Sequence, residues 1–134
     1  MKNFNSQICT TREQSERLLA LGLKKETADC YLFEHEEGKY KVIAESWLDL
    51  IADEKYYSQY KDVCFPAWSL HRMIEIVPST INKMLWFTIT PYTVSYDSVD
   101  YIKSFDSKDN LYDNIIDCIE WLIKEGYFNK EYLV

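Results

Sequence analysis

Along the chain, apolar positions switch between helical and strand spacing. After Thr10 and Thr11, Leu18, Leu19 and Leu21 supply the apolar side of a helix at about 11–21. Thr11 with Gln14, or Thr10 with Glu13, fits a capping box in front of it. Gly22 suits the position past its end, where a left-handed residue closes a helix. Residues 23–29 read as a turn that brings Leu23 into the core. Cys30–His35 is rich in strand formers, and Lys39–Ala44 follows with partial alternation. With Gly38 between them, the two runs predict a β-hairpin.

The middle of the chain is mixed. Trp47, Leu48, Leu50 and Ile51 fit one side of a helix, whereas Tyr56, Tyr57 and Tyr60 fall on what reads as a polar, partly exposed loop. Pro66-Ala67-Trp68-Ser69 then sets up a second helix start. Ser69 is the expected N-cap, Leu70, Met73, Ile74 and Val77 keep helical spacing, and Pro78 ends it. Leu85, Phe87 and Ile89 alternate with Trp86, Thr88 and Thr90, the strongest strand signal in the chain. Pro91 demands a turn or bulge after it. Thr93–Tyr96 and Val99–Ile102 read as further strands around Asp97-Ser98. The closing helix is predicted over about 110–125, capped by Asp109 or Ser107. Its apolar stripe is Leu111, Ile115, Cys118, Ile119 and Leu122, and Gly126 stands past its end. Tyr127, Phe128, Tyr132 and Leu133 form an aromatic tail expected to dock back on the core.

The strands come in short groups instead of alternating singly with helices. That order predicts an α+β fold, a small antiparallel sheet packed against two or three helices. The 134 residues are enough for one domain at roughly 100–200 residues each, so 1–134 is read as a single domain. Residues 1–9 are expected to be a loosely ordered N-terminal segment. Hydrophobic residues at 47% and charged residues at 28% exclude a largely disordered chain. No run approaches about 18 uncharged apolar residues, so no membrane partner is expected.

Charge narrows the partner class. Asp and Glu number 22 against 15 Lys and Arg, a net charge of −7. That opposes a phosphate backbone, which is bound through Lys and Arg, so no nucleic acid is expected. Four cysteines, Cys9, Cys30, Cys64 and Cys118, are scattered without a close pair. Zinc sites and redox dithiols use close pairs. The opening Met1–Gln7 lacks an apolar signal core. The thiols are therefore expected to be reduced and the protein cytoplasmic; the competing reading is a disulfide-bonded secreted protein.

Catalytic chemistry finds little support. His35 and His71 are the only histidines and are too far apart for a helical metal motif. No catalytic residue, metal or cofactor is assigned. Trp47, Trp68, Trp86 and Trp121 read as core or hinge positions. Asp109, Asp113, Asp117 and Glu120 share one side of the last helix, either as a solvated face or as a surface for a basic partner. Eleven tyrosines suit half-buried strands or a recognition face.

Three segments carry a resemblance: Thr11-Arg12-Glu13-Gln14-Ser15-Glu16-Arg17-Leu18-Leu19, Pro66-Ala67-Trp68-Ser69-Leu70 and Asp117-Cys118-Ile119-Glu120-Trp121-Leu122. Over about residues 10–128 the chain resembles small uncharacterised proteins of prophages and mobile elements in gut Bacteroidales. The resemblance implies an accessory gene product and carries over no activity, cofactor or site.

The first functional expectation is a non-enzymatic interaction protein of phage or mobile-element origin. It would meet a host or phage protein through Tyr-rich strands bearing Tyr92, Tyr96 and Tyr101, or through the acidic last helix. It could also pair into a homodimer if strand 85–90 lies at a sheet edge. A second expectation is a small-molecule binder or small enzyme with a pocket near Trp68, Ser69 and His71. A third is an acidic inhibitor of a nucleic-acid-binding host protein.

Overall fold

The computed structural model describes residues 6–134. It is an α+β fold with five α-helices and two small antiparallel sheets. The first helix, α1 (Arg12–Ala20), starts on the expected box: Thr11 accepts from the Gln14 amide, and the Gln14 side chain accepts from the Thr11 amide. It ends on Gly22 at φ 99°, where the Gly22 and Leu23 amides turn back onto the Leu19 and Leu18 carbonyls.

The expected hairpin forms as β1 (Cys30–Glu36) and β2 (Lys39–Ile43). On the other edge of β1 lies β3 (Cys64–Ala67), which completes a sheet in the order β2-β1-β3. This third strand has no alternation signal of its own and had read only as the approach to a helix. Between β2 and β3 the chain forms α2 (Trp47–Ala52) and α3 (Glu54–Tyr60). The tyrosines expected on a loop thus lie on α3, where Tyr56, Tyr57 and Tyr60 pack partly against the core. The next helix, α4 (Leu70–Ile76), begins at Ser69 as the sequence predicts.

The second sheet has the order β4-β5-β6-β7. Its strands are β4 (Thr80–Ile81), β5 (Leu85–Ile89), β6 (Val94–Asp97) and β7 (Ile102–Phe105). The last strand starts three residues later than expected. Residues 98–101 form the turn instead, closed by the Ser98 amide on the Tyr101 carbonyl. Strand β5 lies between β4 and β6, so the condition set for self-pairing, strand 85–90 at a sheet edge, is not met; β4 and β7 hold the edges.

Across the inner face of this sheet lies α5 (Leu111–Glu125), whose Ile115, Ile116, Cys118, Ile119 and Leu122 are buried. Its N-cap is Asn110, not Asp109 or Ser107; the Asn110 side chain accepts from the Tyr112 and Asp113 amides. Gly126 closes it at φ 80°. The tail docks as expected: Phe128 is buried, and Leu133 bridges Leu23.

Of the N-terminal segment expected to be loosely ordered, residues 1–5 lie outside the described residues. The rest of it is held in place. Cys9 is buried and bridges Ser69, while Gln7 bonds Gln14 and Asn110. No helix among the described residues is long and apolar enough to cross a membrane.

Candidate functional site

The residues expected to line a pocket near Trp68 are engaged within the fold or turned away from it. Trp68 is 0% exposed, and its indole N–H donates to the Thr27 hydroxyl at 2.9 Å. Its backbone amide donates to the Thr10 hydroxyl at 3.0 Å, and that hydroxyl also meets Ser15. Ser69 is equally engaged. Its amide donates to Asp29 at 2.9 Å, its hydroxyl bonds the same carboxylate, and it caps the Arg72 amide. His71 points the other way, with an exposed side chain whose Nε2 lies 3.5 Å from Glu75. A buried indole, a capping hydroxyl and an exposed imidazole share no wall. The physical reason is that a helix start inside a core must satisfy its free amides, and these residues are used up in doing so.

The tyrosines divide. Tyr96 is 0% exposed, donates to the Pro78 carbonyl at 2.7 Å, and packs against Phe87 and Trp121. Burial pushes its phenol above the ordinary range. It is a core residue and offers nothing to a partner. Tyr92 and Tyr101 are exposed, but at opposite ends of β6: Tyr92 in the turn before it, Tyr101 in the turn after it. The Tyr92 backbone is held from inside, its carbonyl accepting from the fully buried Asn114.

The acidic side of α5 is largely occupied by the protein itself. Asp113 accepts from Gln14 at 2.9 Å, and Arg17 reaches Asp117 at 2.6 Å and Glu120 at 3.0 Å. Helix α1 therefore occupies three of the four carboxylates of the stripe that the sequence offered to a basic partner, Asp113, Asp117 and Glu120.

What remains open is the outer face of the second sheet. Because Leu85, Phe87 and Ile89 turn inward, Trp86 must turn outward, and it is 54% exposed. Pairing in register places Trp86 opposite Asp97, and Asp97 opposite Ile102, which is 67% exposed. A single row across β5, β6 and β7 thus reads Trp86, Asp97, Ile102. Met84, Val99 and Tyr101 are exposed in the adjoining turns at the same end of the sheet. In the middle of this apolar row the Asp97 Oδ1 atom is buried and has no hydrogen-bond partner among the described residues. A buried carboxylate oxygen without a partner is costly and uncommon in a folded protein.

Sequence reasoning read Trp86 as a core or hinge position and gave Asp97 and Ile102 no part in a surface. The phase of the β5 alternation could have put Trp86 outside. The row itself depends on register and on where the 98–101 turn falls.

A separate apolar cleft of about 320 Å³ lies between the residues leading into α1 and the open side of the first sheet, with Cys9, Leu32, Tyr40 and Val42 in its wall. Arg12 borders it, stacked 3.5 Å from the Phe65 ring centroid and bonded to Glu16. All four cysteines are free and buried, and burial raises the Cys118 thiol to about 12, which keeps it protonated and unreactive at neutral pH.

Compared with family models, curated proteins and solved structures, the chain finds no match.

Proposed function

We propose that this protein is a non-enzymatic interaction protein that docks a partner protein on the outer face of its second sheet, at the end formed by Trp86, Asp97 and Ile102. The observation behind this reading is the row itself, in which two large exposed apolar side chains, Trp86 and Ile102, stand on one outer face. Contiguous exposed apolar surface on a small protein commonly serves association. Large aromatic side chains are also enriched where partners meet. The reading keeps the interaction class expected from the sequence, moves its surface, and goes with the accessory gene product that the resemblance implies.

The test is a selection of displayed random peptides on the wild type, with the Trp86→Ala/Ile102→Ala double variant as counter-selection. Peptides enriched by the wild type and lost on the variant support the reading, provided the two proteins share a thermal midpoint. Failure to enrich any peptide, or enrichment that the variant retains, overturns it.

A further inference from the structure

The apolar cleft on the first sheet stands independently of the docking face on the second. We infer that it binds a small amphiphilic monocarboxylate, with the hydrocarbon body in the cleft and the carboxylate on Arg12. The wall follows from strand register. Leu32 pairs with Val42 on one side and with Phe65 on the other, and Tyr40 shares that face, two residues from Val42. The segment leading into α1 seals only part of this face, where Cys9 packs with Cys30, Leu32 and Ala67. The rest stays open as the cleft of about 320 Å³, with Ile8 also in its wall. That volume falls in the range of small-molecule sites, about 300–1,000 Å³. An apolar wall of this kind gains from covering by a hydrocarbon, because water leaves both surfaces.

Arg12 selects the head group. Its guanidinium is held 3.5 Å from the Phe65 ring centroid, and its Nη1 donates to the Tyr40 hydroxyl at 3.3 Å. Tyr40 lines the cleft, so that edge of the guanidinium stands at the cleft. Its Nε donates to Glu16 at 2.8 Å, and beyond these two bonds its N–H groups have no acceptor among the described residues. The Glu16 contact is an exposed pair one helical turn apart, a kind that holds weakly and leaves the charge available. A guanidinium carries five N–H donors in one plane, and a carboxylate accepts two of them side by side. One arginine suits one negative charge. The chain carries a net charge of −7, which opposes a doubly charged phosphate and a second copy of the chain alike. A neutral hydrocarbon covers the wall and leaves the N–H groups of Arg12 unused.

The test uses octanoate and octanamide, alike in shape and different in head charge. Each is titrated into the isotope-labelled protein while amide and methyl resonances are followed. Octanoate is expected to shift Leu32, Tyr40 and Val42 to saturation and to leave Trp86 and Ile102 in place. Octanamide should bind about tenfold to a hundredfold more weakly, as the loss of a charge-assisted bond implies. Arg12→Gln should erase that difference, and Arg12→Lys should restore part of it. Because Arg12 also stacks on Phe65, Val42→Phe gives a second reading that spares it: filling the cleft should weaken both compounds alike at an unchanged thermal midpoint. Equal binding of the two compounds, no saturable shift at the cleft, or octanoate affinity that survives both Arg12→Gln and Val42→Phe overturns the inference. So does a shift of the cleft resonances by Phe4→Ala without any ligand, which would give the cleft to residues 1–5 of the chain.

Discussion

The two sheets of this protein are built from similar strands and kept in opposite ways. The first sheet is covered on both faces along Cys30–Leu32. Tyr31 faces the main core, while Cys30 and Leu32 face a second cluster with Cys9 and Ala67. Beside it, Thr10, Thr27, Asp29, Trp68 and Ser69 form a network in which the buried polar atoms find partners. The second sheet is covered on one face, by α5. Its outer row carries Trp86 and Ile102 into solvent and leaves the Asp97 Oδ1 atom unpaired. Double coverage forces each buried polar group to be satisfied, because water is excluded from both sides. Single coverage leaves Trp86 and Ile102 in solvent, and exposed side chains with few packing duties can be exchanged at little cost to the fold.

The sharpest way to break this contrast is to truncate one tryptophan from each sheet region. Trp68→Ala is expected to cost about 3–5 kcal/mol, since it opens a cavity and removes the indole N–H that the Thr27 hydroxyl accepts from. Trp86→Ala is expected to stay within about 0.5 kcal/mol of the wild type. Urea unfolding monitored by far-ultraviolet circular dichroism reads both. Comparable losses would mean that the outer row packs as tightly as the core.

Alkaline pH probes the buried side alone. Burial raises the Cys118 thiol to about 12, whereas an unfolded thiol ionises at about 8.5. Between those values the unfolded chain releases a proton that the folded chain keeps. The stabilisation is therefore complete below about pH 8.5 and is lost as pH rises toward about 12, at up to about 1.4 kcal/mol per pH unit. Cys118→Ala should flatten the stability profile above pH ~9 by that share; an unchanged slope would remove the thiol from the core. In the native protein at pH ~8 a thiol reagent should modify none of the four buried cysteines, and all four once denatured.

Asn114 links the turn before β6 to α5, accepting from the Lys108 amide and donating to the Tyr92 and Lys108 carbonyls. Asn114→Leu should cost about 1–3 kcal/mol through the groups it strands. Exchange of the Lys108 amide should rise with it, a local signature that a general loss of packing would not single out.

The smallest effects lie on the surface. Arg17→Ala removes a partly exposed pairing with Asp117 and Glu120 and should cost no more than about 1 kcal/mol, less at high salt. A larger loss would show that α1 depends on that pairing. Lys83 sits at φ 57° in the β4–β5 turn, a conformation that a side chain disfavours. Lys83→Gly should raise stability by about 0.5–1 kcal/mol, and a lower melting temperature would show that the Lys83 side chain is needed there.

Much of the framework was legible before any coordinates. Thr11 with Gln14, Ser69 and Gly126 are local signals, because capping depends on a few neighbouring residues and their backbone angles. The β1–β2 hairpin and the stripe of α5 follow from periodicity. Strand β3 was hidden because four residues including Pro66 carry no readable alternation; it is a strand only because β1 offers an unpaired edge. The shift of β7 to Ile102–Phe105 has a similar cause. Val99 and Tyr101 have strand propensity, but residues 98–101 are needed as the turn that lets Asp97 pair with Ile102.

The sequence by itself determined where α1, α4 and α5 lie, which faces of α1 and α5 are apolar, and that the fold is α+β, because those properties are set by neighbours along the chain. Only the tertiary structure decided that Trp68 is sealed in a polar-bonded core, that Arg17 pairs with Asp117 and Glu120 of the acidic stripe, and that Trp86, Asp97 and Ile102 form one row. Each of those facts is a meeting of residues from separate elements, and strand register, which a one-residue slip would invert, exists only once the strands have paired.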